Sequence, residues 1–214
     1  MIKLSDIEKQ NIENAIKHLE KTTSGEVVVY VAKQSHKYLK GMWIAVAVGA
    51  IASLVIISIL SWMWLLNSNF GASQTTMITL FAMFAAACIT YFIPRLRLWF
   101  VNDEDLDEEV LQKAQTVFLA EEVFNTKQRT GILIFISQLE HKVIVLGDKG
   151  INEKITQEDW ESILNTVIEG IKQKNMAPKL IEAIGLCEKL LLDNGFTIQN
   201  NDINELANHV RVEE

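Results

Sequence analysis

Charge is missing from the middle of this chain. Between Gly41 and Pro94 there is no Asp, Glu, Lys or Arg. A soluble domain of this size could not cover so much uncharged surface, which argues against a pair of buried core helices. Cysteine is scarce too: Cys88 lies inside the uncharged stretch and Cys187 on an amphipathic segment. Neither has a Cys or His at metal-ligand spacing, so both read as core thiols, not as a disulfide or a zinc site. Cations are outnumbered, 20 Lys and Arg against 27 Asp and Glu, for a net charge of −7. That balance argues against nucleic acid, whose phosphates need clustered Lys and Arg. The opening MIKLSDIEKQ has no apolar h-region; it reads as the start of a folded helix, not a signal peptide.

Two long apolar runs fill the uncharged stretch, at about 42–66 and 76–93, joined by the polar turn Asn67 to Gln74. Each meets the requirement of about 17–25 apolar residues for crossing a hydrocarbon core. Two spans with a short connection make an antiparallel transmembrane hairpin. Lys33, Lys37 and Lys40 precede the first span, Arg95 and Arg97 follow the second, and the turn carries no cation. The positive-inside rule then places both termini in the cytoplasm. Trp43, Trp62, Trp64, Tyr91 and Trp99 fall near the span ends, as interfacial aromatics do. Ala45, Gly49 and Ser53 on the first span and Ala82, Ala86 and Thr90 on the second recur at four-residue spacing, which lets helices approach closely. No ionisable group lies within either span, so the hairpin reads as an anchor or an oligomerisation device and not as a transport pathway.

The flanking segments, 1–40 and 95–195, read as two parts of one α/β domain, a small mixed sheet sandwiched by helices, with 196–214 as a loose polar tail. Ser5 and Glu8 form the S-x-x-E capping box of a first helix whose inner face carries Ile12, Ala15, Ile16 and Leu19. The β-branched run Val27 to Val31 is a strand buried on both faces. After the hairpin, the acidic run Asn102 to Glu109 suits a helix N-terminus, and an apolar stripe continues through Phe124, with Thr126 to Thr130 closing the helix. Gly131 to Ser137 is a second strand and Val143 to Leu146 a third, ending at the turn Gly147-Asp148-Lys149-Gly150. Two helices follow: Gln157 to Lys174, capped by Thr156, and one from Ala177-Pro178 to Asn194 before Gly195, with Pro in its first turn. Because the first span leaves soon after strand one, strand two must return parallel to it. The hairpin is spliced into a βαβ crossover, and strand three pairs antiparallel with strand two.

Three loops gather at the starts of the parallel strands: Thr22 to Glu26, Arg129-Thr130, and Gly147 to Lys149. Glu26 and Asp148 could hold a cation, and Arg129 and Lys149 could meet a phosphate. Hard cations want several oxygens and two carboxylates are few; the alternative is turn and cap chemistry with a Glu26–Arg129 pair. The acidic run 103–109 lacks the internal Gly and terminal Glu of an EF-hand loop. His18, His36, His141 and His209 are scattered, Ser137 lacks a G-x-S-x-G elbow, and Gly147 to Gly150 lacks the ending of a P-loop.

The order of these elements carries a resemblance. Thr22-Thr23-Ser24-Gly25-Glu26 before a strand, a helix with Ala114, Phe118 and Phe124, then Arg129-Thr130-Gly131, a hairpin ending in Gly147-Asp148-Lys149-Gly150-Ile151, Trp160 and a final helix pair together resemble the TPM domain family, over about 4–192. The likeness is to the bacterial membrane form with the hairpin inside the domain. The resemblance implies a compact α/β/α sandwich. It also implies two lines of function: divalent-metal-dependent phosphatase activity, with Ca2+ or Mg2+ as the cofactor, or association at the membrane with a LemA-like protein or with further copies of the chain. From the residues alone no cofactor is predicted, and the leading expectation is a membrane-anchored interaction module that is not an enzyme.

Overall fold

Ser5 opens the first helix as its sequence dictates. Its hydroxyl accepts the Glu8 amide at 3.3 Å while its own amide is held by the Glu8 carboxylate at 2.8 Å, so two amides with no intrahelical partner are satisfied at once. In this computed structural model, which describes residues 4–63, 70–198, 205–206 and 208–213, the elements run α1 (Asp6–Thr22), β1 (Glu26–Ala32), α2 (Leu39–Trp62), α3 (Ala72–Phe92), α4 (Arg95–Leu98), α5 (Asp103–Ala120), β2 (Gly131–Ser137), β3 (Lys142–Gly147), α6 (Lys149–Asn152), a 3-10 turn (Glu158–Trp160), α7 (Glu161–Lys172), α8 (Met176–Asp193) and β4 (Arg211–Val212). The chain divides into two compact units: Met1–His36 with Asp107–Glu214, and Lys37–Leu106.

In the first unit a four-stranded sheet has the order β3-β2-β1-β4. β1 and β2 are parallel, with Glu26 opposite Gly131 and Ala32 opposite Ser137, and β2 and β3 are antiparallel. The expected crossover and strand pairing are therefore present. All seven residues of β2 are buried, as a strand covered on both faces requires. One face carries a core of Ile12, Ile16, Val27, Val29, Ile132, Ile134, Trp160, Leu180 and Cys187, supplied by α1, α7 and α8. The other carries a smaller core in which Val110, Ala114 and Val117 of α5 meet Val28, Leu133 and Phe135. The two faces are unequally covered: three helices lie on one and a single long helix on the other.

Four expectations need correction. The segment 196–214, read as a loose tail, supplies β4, which pairs in parallel with Tyr30 and Val31 of β1, and Val210 is buried. The acidic helix ends at Ala120, not near Thr126. Glu122 takes a left-handed φ of 52°, and the apolar stripe past Ala120 belongs to a turn that buries Val123. The Gly-Asp-Lys-Gly turn begins a one-turn helix, α6, capped by Asp148. The helix expected from Gln157 starts with a 3-10 turn, and Thr156 is fixed through the Asp159 carboxylate, which accepts both its amide (2.7 Å) and its hydroxyl (2.8 Å).

The second unit contains the hairpin. α2 has 24 residues with mean hydropathy 2.6 and α3 has 21 with 1.7, each long and apolar enough to cross a membrane. At about 1.5 Å per residue both exceed a hydrocarbon core of about 30 Å. Most of their side chains face outward, Ile51 at 62% exposure and Phe81 at 72% among them, so these are not core helices of a soluble domain. α3 begins at Ala72, earlier than the run from Thr76, because Gln74 reaches back to the Gly71 amide (3.1 Å) and closes the first turn. The expected turn residues 67–69 lie outside the described residues. Where the helices meet, the small residues are in contact: a Cβ on Gly49 would stand 3.1 Å from the Ala86 Cβ, and the Ser53 hydroxyl donates to Thr79 at 3.4 Å.

Arg97 ties the base of the hairpin together. It is buried, and its guanidinium donates to the carbonyls of Thr90 (2.7 Å), Tyr91 (3.1 Å) and Lys37 (2.9 Å). The first two are among the last carbonyls of α3, which have no partner within the helix. The third lies on the segment leading into α2.

Candidate functional site

At the starts of the parallel strands the structure joins two of the three expected residues. Arg129 takes a left-handed φ of 57°, and its Nε and NH2 groups meet Asp148 at 2.6 and 3.0 Å. Such two-point pairing is the strong form of the carboxylate–guanidinium contact, and it holds the Arg129 guanidinium above its ordinary pKa. Asp148 is buried, and its carboxylate also accepts the Lys149 amide at 2.8 Å. The Gly150 amide donates to the Arg129 carbonyl at 2.9 Å. The Phe124 ring lies under the guanidinium at 5.8 Å.

Glu26 is engaged elsewhere. It is buried, and its two carboxylate oxygens accept the amides of Glu205 and Leu206, each at 2.9 Å. The C-terminal segment thus takes the carboxylate that the sequence pairs with Arg129. Next to it, Glu20 accepts an amide proton from the Asn208 side chain. Partial burial, and then the nearby charge of Glu26, push the Glu20 carboxyl up to about 7. Sequence reasoning missed Glu20 because on the helix pattern it is simply a polar position beside Leu19.

A hard divalent cation asks for six or more oxygens. Glu26 and Asp148 spend theirs on backbone amides and on Arg129, and no group of three or more His, Cys, Asp or Glu placed to hold a metal occurs among the described residues. This residue set does not fit a resident Ca2+ or Mg2+.

The opposite ends of the strands carry a polar cluster that the sequence marked only through Ser137 and the Glu140 turn. Ser137 is fully buried. Its hydroxyl donates to Glu140 and accepts from the Ser35 hydroxyl at 2.9 Å, while the Ser35 amide donates to the other Glu140 oxygen at 2.9 Å. This buried carboxylate fastens the exit of β1 to the β2–β3 turn. The polar residues immediately after each apolar strand were the available signal. His36 lies 4.0 Å from Glu109, and His18 lies 3.8 Å from Glu188, on another part of the unit; the histidines do not converge.

The thinly covered face holds an open groove of about 330 Å³ between α5 and β3, lined by Gln115, Phe118, Leu119, Leu146 and Gly147. Leu119 is 63% exposed and Leu111, two turns earlier on α5, is 39%. A contiguous apolar patch of this kind on a soluble surface marks an interaction site more often than a scattered exposed leucine does.

With the geometry in view, comparison with known proteins places the domain. The family model of the TPM domain matches residues 95–187, the stretch from α4 into α8 that includes β2, β3 and Trp160. Among solved structures the chain is similar to the BA42 protein from the psychrophilic bacterium Bizionia argentinensis, determined by NMR, with a TM-score of 0.59 and 21% identity over 98% of this chain and 95% of that one. At this identity the likeness is one of fold, and the expected α/β architecture is met. No curated protein matches the chain.

Proposed function

We propose that the TPM domain of this chain is a membrane-anchored assembly module, held at the bilayer by its helical hairpin and docking another protein on its α5–β3 side. The observation that carries the reading is the unequal covering of the sheet: an apolar groove stays open beside α5, while Arg129, Asp148 and Glu26 are already committed to internal contacts. In this reading both termini lie on the cytoplasmic side of a bacterial inner membrane, since the cations flank the hairpin and the turn has none. A LemA-like membrane protein or a second copy of the chain is the partner class that the family resemblance brings.

The test is a photo-cross-linking amino acid placed at position 119 in the full chain, in its own membranes, with a second probe at the exposed position 172 as control. A protein adduct formed from 119 and not from 172 is the expected result. A chain that forms no adduct at 119 sinks the docking role. The competing reading, a divalent-metal-dependent phosphatase, requires phosphate-ester hydrolysis by the purified chain that responds to added Ca2+ or Mg2+.

A further inference from the structure

The α5 rim of the groove carries exposed carboxylates. On α5 the apolar positions Leu111, Phe118 and Leu119 follow the exposed Glu108, and Glu122 stands exposed just past the helix end. Positions 108, 111, 115 and 118 recur at three- and four-residue steps, so they share one side of the helix, and Glu122 sits in the turn that folds back so that the Val123 amide meets the Phe118 carbonyl at 3.1 Å. The cation of α5, Lys113, is spent on Glu213 at 3.0 Å. On the β3 rim, Lys142 is neutralised by Asp107 at 2.5 Å, and the exposed Lys149 stands at the Gly147 end.

From this arrangement, and resting on the docking role above, we infer that the occupant of the groove is an amphipathic helix of a partner protein that carries basic residues beside its apolar stripe. An apolar stripe at helical spacing matches a groove between a helix and a strand edge, the mode in which anchors at i, i+3, i+4 and i+7 enter an apolar trough. Lys or Arg on the partner would meet Glu108 and Glu122, which sets the register and disfavours acidic helices. Pairing of two copies through this face would bring the Glu108 and Glu122 carboxylates of both chains together, at a cost in like-charge repulsion. The charge pattern therefore favours a basic partner over self-association here.

The full chain is placed in nanodiscs of zwitterionic phosphatidylcholine. It is titrated with two labelled synthetic peptides of identical apolar pattern, one of Leu and Lys and one of Leu and Glu, with binding to empty nanodiscs subtracted. The Lys peptide is expected to bind at least tenfold more tightly than the Glu peptide, with Leu119→Glu abolishing the binding. The double variant Glu108→Lys, Glu122→Lys should invert the preference; both positions are exposed, so loss of folding does not confuse the result. Equal affinity for the two peptides, or a preference that survives the charge reversal, overturns the inference. An adduct at position 119 in membranes combined with no charge preference would leave the docking role standing and remove only this choice of partner.

Discussion

Arg129 and Asp148 form a two-point salt bridge in which one partner is half exposed and the other buried, with side-chain exposures of 52% and 6%. The asymmetry decides what each contributes. Asp148 also caps α6 through the Lys149 amide, so Asp148→Ala loses an N-cap and leaves Arg129 without its partner. We expect destabilisation of roughly 1–2 kcal/mol. Arg129→Ala should cost more, because it leaves the buried Asp148 carboxylate with only the Lys149 amide as a donor, whereas the half-exposed Arg129 left by Asp148→Ala is solvated. Thermal unfolding of the two variants in the same detergent checks the order; equal losses would contradict it.

The Glu20 carboxyl sits near 7 in the folded protein against an ordinary 4.5. The folded state therefore binds an extra proton between those values. This group's contribution to stability is fully present below about pH 4.5 and is lost as pH rises through about 7. Allowing for its partial exposure, the swing is about 1–2 kcal/mol. Glu20→Gln keeps an oxygen for the Asn208 amide and should flatten this part of the profile, leaving the variant more stable than the parent at pH 8. Denaturation midpoints at pH 5 and pH 8 for both proteins decide the matter; an unchanged difference between the two pH values would refute it.

Packing of α2 on α3 can be trapped covalently. Ser53 and Thr79 have their hydroxyls 3.4 Å apart, so the pair Ser53→Cys, Thr79→Cys, in a background with Cys88→Ala, should form a disulfide under mild oxidation. Adding Gly49→Val should sharply reduce its yield, because even a single Cβ there meets Ala86 at 3.1 Å. Efficient cross-linking in the Gly49→Val protein would mean that the helices do not rely on close approach.

Arg97→Lys keeps the positive charge but not the fork that reaches three carbonyls. We expect loss of roughly 2–4 kcal/mol at the hairpin base and faster amide hydrogen exchange around 37–41 and 90–93. The parent exchange pattern in the variant would show that charge alone suffices.

Much of the soluble fold was legible because its elements announce themselves locally. The Ser5–Glu8 box, the β-branched Val27–Val31 run and the apolar Gly131–Ser137 run each have a short-range cause, and the parallel pairing follows from connectivity. β4 was illegible: Arg211–Val212 has no apolar pattern of its own, and the segment is held by distant groups, Glu26 on the Glu205 and Leu206 amides and Glu121 on Arg211 at 2.6 Å. The same long-range contact explains the candidate site. Glu26 opens β1 opposite Gly131, two residues past Arg129, which invites pairing the two side chains, but the C-terminal segment claims Glu26 and leaves Arg129 to Asp148. The groove was hidden for a different reason. An apolar residue at a helical position reads as core, and only the tertiary structure shows Leu119 63% exposed among the described residues.

Because β1 pairs with β2 across the whole of α2 and α3, about a hundred residues separate the partners Glu26 and Gly131 along the chain. At a synthesis rate of about 10 residues per second, β1 waits about ten seconds before its neighbour exists. The apolar hairpin is translated entirely within that interval. Both long apolar helices are therefore complete before the sheet can close, and β1, with Val27, Val28, Val29 and Val31 all destined for burial, stays without its parallel neighbour while they are made.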